Sequence, residues 1–308
     1  MPAELPARLA SRPAAGPERN AVVYGLTKRG FFSEINVLVI NLAYALAAQE
    51  DLYLDDSGFL SSWRQLLQPV LPMAAELRED LYRRVTVSNP KVDRAAWDER
   101  LWFVKRACDQ GLVVAIPDIG FEGSWFELLS VLSRKVFAPL PELEAEAARL
   151  RLELGLDQPF CAVHIRRGDK TEGYPRRDGS RRIEGRAAPF GEYVGRLEIL
   201  APGVRRVFVL SDDHREVADA RSLHPELELV TLCEPQEAGY RQPEFLQLSA
   251  EQRLRALKRL IVEVLIAVHC RAFVGLYRSN VSLMIAALHP HPEGCASVDQ
   301  ARTWTPMT

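Results

Sequence analysis

Short apolar runs bounded by glycine or paired polar residues alternate along the chain with stretches whose apolar positions recur every three or four residues. "AVVYG" from Ala21 is a buried-strand pattern closed by Gly25. "KRGFFSE" follows as a turn containing Gly30, with Ser33 as a helix-capping serine. Ile35, Leu38, Val39, Leu42 and Leu46 then fall on one helical face, and "LYLDD" returns as a strand. Strand, glycine turn, helix and strand make a βαβ unit. From Trp63 to about Gln110 the pattern predicts mostly helix, and "GLVVAIPD" predicts a further buried strand. "PLPELEAEAARLRLEL" over 139–154 reads as a proline-started, solvated connector helix. Beyond it the alternation is cleaner. "FCAVHI", "RVFVLSDD", "LELVTL" and "AFVGL" read as strands; "PFGEYVGRLEIL", "HREVADARSL", Ser249 to His269 and Asn280 to Leu288 read as helices. Such alternation predicts parallel sheets covered on both faces, hence an α/β chain with two Rossmann-like domains facing a cleft. The expected layout is a flexible tail over 1–20, rich in Pro, Ala and Arg, a first domain over 21–150 and a second over 151–308.

Composition agrees with a globular chain of that size. The 308 residues are 47% apolar and 26% charged. Lys and Arg total 39 against 41 Asp and Glu, a net charge of −2, which argues against an electrostatic nucleic-acid binder. No apolar run approaches the ~20 residues of a membrane span, and no basic-then-apolar leader opens the chain. The five cysteines, Cys108, Cys161, Cys233, Cys270 and Cys295, show no CxxC spacing. They read as buried thiols in a reducing, cytoplasmic setting, with no disulfide or zinc framework.

In open parallel sheets ligands bind beyond the carboxyl ends of the strands, which selects the residues to weigh. "HIRRGDK", His164 to Lys170, sets two guanidiniums at such an end. Arg166 and Arg167 suit bidentate binding of a diphosphate, or a structural salt bridge, for instance to Asp169. Asp212 and Asp213 end "VFVLSDD" and suit either a metal–nucleotide complex or, by the commoner use of such pairs, a helix cap. Ser279 and Asn280 stand at a strand-to-helix junction, a place for an anion or an ordinary cap. Glu263 interrupts the apolar run "LIVEVLIAV" and needs a partner, an Arg or a base such as guanine, if it is buried. Glu172 and then Arg176, Arg177, Arg181, Arg182 and Arg186, with interspersed glycines, form a charged loop, either a lid or a solvated stretch. The histidines show no metal-ligand spacing, and no GxSxG elbow supports a serine hydrolase.

Taken in order, "CAVHIRRGDK", "RVFVLSDD" and "AFVGLYRSNVSLMI" resemble the three motif regions of the α-1,6-/α-1,2-/protein O-fucosyltransferase superfamily. The nearer likeness is to the α-1,6 branch of nodulation and core fucosyltransferases. It is supported by "GFFSEINVLVINLAYA", "LYLDD", "WRQLLQPV" and "FAPLPELEAEAARLRLELG", and it covers roughly 25–290. The α-1,2 branch shares "HIRRGD" and "SDD" but carries a Ser- and Trp-rich last motif absent here. The resemblance implies a GT-B glycosyltransferase (a hexosyltransferase) with GDP-fucose as donor, inverting and without a metal or other cofactor. Its implied acceptor is an oligosaccharide or glycoconjugate. It further implies that Arg166 meets the β-phosphate with Ser279 assisting, that Arg167, Asp169, Lys170 and Asn280 support the donor, and that the backbone at His164 meets guanine. Glu263 stands where the family carries a guanine-reading Asp, Asp212 and Asp213 shape the site, and Glu172 is the nearest candidate base. Gly30, Phe31, Ser33, Arg176 and Arg177 are implied on the acceptor side. An α-1,2 or other GDP-sugar transferase, and a non-catalytic nucleotide- or glycan-binding protein, are the alternatives.

Overall fold

The computed structural model describes residues 20–88, 110–175, 181–183 and 185–299. The chain divides into two compact units, one up to Leu140 and one from Pro141. Nearly all of the expected tail, and the Arg176 and Arg177 positions, lie outside the described residues.

In the first unit, β1 (Asn20–Gly25) is central to a parallel sheet of order β2-β1-β3, with β2 at Asp51–Asp55 and β3 at Arg83–Ser88. Helix α1 (Phe31–Ala47) joins β1 to β2, so the βαβ unit is present. This helix is buried on nearly every side, with Ile35, Val37, Leu38, Val39 and Ile40 at 3% exposure or less, because the sheet covers one face and α2 (Trp125–Val136) another. Ser33 does not cap it. Gly30 takes the N-cap with extended backbone, and Ser33 already lies in the first turn, its N–H donating to Gly30 O at 2.9 Å. The burial of Phe31 and Phe32 starts the helix before the serine.

The expected helix from Trp63 is also corrected over its described part. Pro69 and Pro72 cannot continue a helix, and the chain instead makes single 3₁₀ turns at Trp63–Gln65 and Ala74–Glu76. β3 then forms from "RRVTVS", where Val85, Thr86 and Val87 favour the pleated strand. Residues 89–109 lie outside the described part. "VVAI" is a strand, β4 (Val113–Ile116), but buried on one face only: it pairs antiparallel with β5 (Phe121–Ser124), Val114 and Ile116 are buried, and Val113 is 73% exposed.

The second unit opens with the proline-started helix α3 (Pro141–Glu153). Its sheet is five-stranded and parallel, in the order β10-β9-β6-β11-β12. The strands are β6 (Cys161–Ile165), β9 (Arg206–Ser211), β10 (Glu228–Val230), β11 (Ala272–Gly275) and β12 (Cys295–Ser297). β6 and β11 are buried along their whole length, as central strands of a parallel sheet covered on both faces must be. Between β6 and β9 lie α4 (Asp169–Glu172), the two-residue strands β7 (Tyr174–Pro175) and β8 (Arg181–Arg182), and α5 (Phe190–Leu200). α5 buries Phe190, Tyr193 and Leu197, three and four residues apart, on one face. α6 (His214–Leu223), α7 (Gln242–Gln247), α8 (Ala250–Ala267) and α9 (Asn280–Leu288) complete the unit.

The chain leaves β6 toward β9 and β10, then returns to the other side as β11 and β12. The strand order therefore reverses between β6 and β11, and their carboxyl ends open a crevice there. Among the described residues no helix is long and apolar enough to cross a membrane. Cys161, Cys233, Cys270 and Cys295 are free and buried; Cys108 lies outside the described residues.

Candidate functional site

Immediately after β6 the chain passes through Arg166 and Arg167 and turns at Gly168, whose φ is +57°. Segment 237–242 crosses this turn at closest approach. A Cβ on Gly168 would lie 2.2 Å from Tyr240 O, and one on Gly239 (φ +90°) would lie 2.8 Å from the Gly168 Cα, so both positions require glycine.

The two adjacent arginines have different fates. Arg166 donates from Nη2 to Asp169 Oδ1 at 2.6 Å, from Nη1 to its neighbour's carbonyl at 2.8 Å, and forms an ion pair with Asp212. Its guanidinium also lies over the Tyr240 ring, 4.8 Å from the centroid. Arg167 turns away. Nε and Nη2 reach the two oxygens of Glu216 on α6 at 2.6 and 2.7 Å, and Nη2 donates to Ala188 O at 2.9 Å. Arg167 is therefore a buried tie between the turn and α6, not a lining group of the crevice. Asp212 organises the turn: besides Arg166 it accepts from Arg167 N at 2.8 Å and Tyr240 N at 2.9 Å.

The opposite wall comes from β11 and α9. Ser282 Oγ accepts from Leu276 N at 3.0 Å and shares a 2.7 Å hydrogen bond with His164 Nδ1. Burial and the Arg166 charge push His164 down to about 3, so the ring is neutral and fixes β6 against α9. Ser279 is the N-cap of α9 and Asn280 its first residue. The preceding Tyr277 and Arg278 are held by Asp299, which accepts from their backbone N–H groups at 2.9 and 3.2 Å.

A pocket between these walls is lined by Arg166, Lys170, Arg186 and Arg278, with Ser279 and with Asp299 as the lining carboxylate. Arg166, Lys170, Arg186 and Arg278 stand beside the N-terminus of α9; of these, Arg166 is ion-paired with Asp169 and Asp212, and Arg186 with Glu192. Among the described residues no group of three or more His, Cys, Asp or Glu could hold a metal ion. Arg278 and Asp299 were not singled out from the sequence. Arg278 was legible beside Ser279; Asp299 carries no local signal, because β12 brings it to the site.

The other expected residues are not among those that line this pocket. Asp213 caps α6, its Oδ1 accepting from Arg215 N at 3.0 Å, and pairs with the Arg215 guanidinium at 2.6 Å. Glu172, at the end of α4, is held by Arg241 through bonds of 2.6 and 3.1 Å. Glu263 is buried on α8; its Oε1 has no hydrogen-bond partner, and burial pushes the carboxyl up to about 7. In the first unit Phe31 is packed edge-on to Phe32 and beside Phe59, a core position and not a binding face. Gly30 and Ser33 stay partly exposed at the start of α1.

No protein-family model matches the sequence, and no curated protein matches it. Solved structures do. A NodZ α-1,6-fucosyltransferase soaked with GDP-fucose is 13% identical, with 88% of this chain and 94% of that chain covered and a TM-score of 0.52. Fucosyltransferase NodZ from Bradyrhizobium gives the same identity and coverage with a TM-score of 0.50. A variant of Arabidopsis thaliana FUT1 in complex with GDP is 13% identical over 93% of this chain and 72% of that chain, with a TM-score of 0.50. At such identity the likeness speaks for architecture, and with its parallel sheets and their intervening helices this chain has the fold of the GT-B fucosyltransferases.

Proposed function

We propose that the chain is a glycosyltransferase that moves fucose from GDP-fucose to a glycan or glycoconjugate hydroxyl, forming an α-1,6 bond with inversion and without a metal. The observation that carries this reading is the cationic pocket at the strand-order reversal, formed by Arg166, Lys170, Arg278 and the N-terminus of α9. The structures of the same fold that hold GDP or GDP-fucose support the choice of donor.

In this reading the acceptor oxygen attacks the anomeric carbon while the bond from that carbon to the β-phosphate oxygen breaks. Negative charge grows on the departing GDP. Arg166, fixed in advance by Asp169 and Asp212, stabilises that charge without reorganising, which is where preset donors contribute most. Glu172 takes the acceptor proton, and Arg241 sets its orientation. The buried free thiols suit a reducing compartment such as the cytoplasm.

The test is a donor screen. Purified protein is offered GDP-fucose, GDP-mannose and a set of UDP-sugars, with thermal shift and nucleotide release as readouts and NMR of any product for the linkage. A selective GDP-fucose response is expected; a UDP-sugar response overturns the donor, and a different linkage overturns α-1,6. The ion pair that engages Glu172 favours one second reading, a nucleotide- or glycan-binding protein without turnover. GDP binding with no transfer to any acceptor would establish that instead.

A further inference from the structure

Segment 238–242 does more than cross the Arg166 turn. Both carboxylates that hold Arg166 are themselves held by backbone N–H groups of this segment. Tyr240 N donates to Asp212 Oδ2 at 2.9 Å, and Gln242 N donates to Asp169 Oδ2 at 3.1 Å. In return Tyr240 O accepts from Asp169 N at 3.0 Å and lies 3.4 Å from Arg166 Nη1. The Tyr240 ring supplies the surface under the guanidinium, and Phe245 at 5.3 Å backs that ring. The Tyr240 hydroxyl points elsewhere and donates to Gln242 Oε1 at 2.6 Å. Arg166 lines the pocket and Tyr240 is not among its lining residues, so Tyr240 acts on that pocket through Arg166.

An arginine side chain has many rotamers, and its use in charge stabilisation depends on removing that freedom beforehand. Two carboxylates fix the edge of the Arg166 guanidinium, and an aromatic face fixes its plane. We infer that Tyr240 is a positioning residue for the transfer reaction: as the central residue of a strap over 238–242, it fixes the plane of Arg166 for the charge that develops on the departing diphosphate. This rests on the transferase reading above. Lys170, Arg278 and the α9 N-terminus line the same pocket and would share the ground-state diphosphate, so the strap is expected to affect turnover more than donor binding.

The experiment compares Tyr240→Leu and Tyr240→Phe with the unsubstituted protein, each alone and with Arg166→Lys. Leu keeps apolar bulk beside Phe245 but loses the aromatic face; Phe keeps the face and loses only the hydroxyl. Tyr240→Leu is expected to lower kcat about tenfold while the KM for GDP-fucose changes less than about twofold, in line with a partly desolvated cation–π contact. Tyr240→Phe is expected to stay within about twofold of the parent. With Arg166→Lys, whose ammonium has no plane to align, Tyr240→Leu should cost no more than about twofold further. A merely structural residue would lower kcat equally on both backgrounds, so equal losses overturn the proposal. An unchanged kcat in Tyr240→Leu, or a Phe variant as poor as the Leu one, also overturns it. If Tyr240→Leu fails to fold, Tyr240→Met, which fills the gap more adaptably, carries the same comparison. Absence of GDP-fucose turnover in the unsubstituted protein defeats the transferase reading and is thereby distinguished from failure of the strap.

Discussion

In each parallel sheet one strand is followed closely by an ionisable side chain drawn largely out of solvent, Glu34 in the first turn of α1 after β1 and Arg166 just after β6. Glu34 is 0% exposed and closed in by donors: the Tyr24 hydroxyl at 3.0 Å, Thr27 N at 3.2 Å and Thr27 Oγ1 at 2.7 Å. These bonds tie the segment after β1 to α1. Burial and the Glu34 charge in turn push the Tyr24 phenol well above its usual range. Arg166 is held as firmly on one side but keeps 12% of its side chain exposed and lines a pocket. A charge enclosed by its donors builds structure, whereas a charge held by carboxylates at the wall of a pocket can build structure and still meet a ligand. Glu263 is a third case, a carboxylate with one oxygen that no hydrogen bond satisfies, and its raised pKa records the cost.

The strongest way to break this comparison is Arg166→Ala. Loss of one preset donor to a developing charge is expected to lower kcat for GDP release from GDP-fucose by about 10²–10³-fold. Retention of full activity would remove Arg166 from the chemistry. Glu34→Ala should act on stability instead, since it strands the Tyr24 hydroxyl and the Thr27 donors; a loss of about 3–4 kcal/mol is expected in urea unfolding. An unchanged midpoint would mean that the Glu34 network is not structural.

Glu263 sharpens the contrast through pH. Its folded pKa, raised from 4.5 to about 7, means that the folded chain keeps a proton the unfolded chain has released. Stability should therefore fall as pH rises from about 4.5 to about 7, by at most about 3 kcal/mol, and level off above. Glu263→Gln should flatten that slope; an identical slope in both proteins would show that another group causes it. The smallest effect is expected from Asp213→Ala, which removes the α6 cap and should cost about 1 kcal/mol with transfer kinetics unchanged. A large loss of kcat there would bring Asp213 into the site.

Much of this was legible along the chain. Continuous apolar runs marked β6, β9 and β11, because a strand covered on both faces has no polar side to interrupt it. Their ends marked Arg166 and Ser279. The stretch from Trp63 misled because its apolar spacing suits helix while Pro69 and Pro72 forbid it, and burial of Trp63, Leu66 and Leu67 needs no helix. "VVAI" misled because a short apolar run reads the same whether its strand is covered on both faces or on one.

The sequence by itself determined the α/β alternation and the places where chemistry could sit, since both depend on local pattern and on which residue ends a strand. Only the tertiary structure decided how those residues are used. Arg166 and Arg167 are neighbours of one type, yet one lines the pocket and the other is tied to Glu216, because what surrounds them, Asp212, Tyr240, Ala188 and Glu216, comes from 21 to 74 positions away. A side chain's role is set by the free energy of everything that packs around it, and contacts over such separations leave no mark in local spacing.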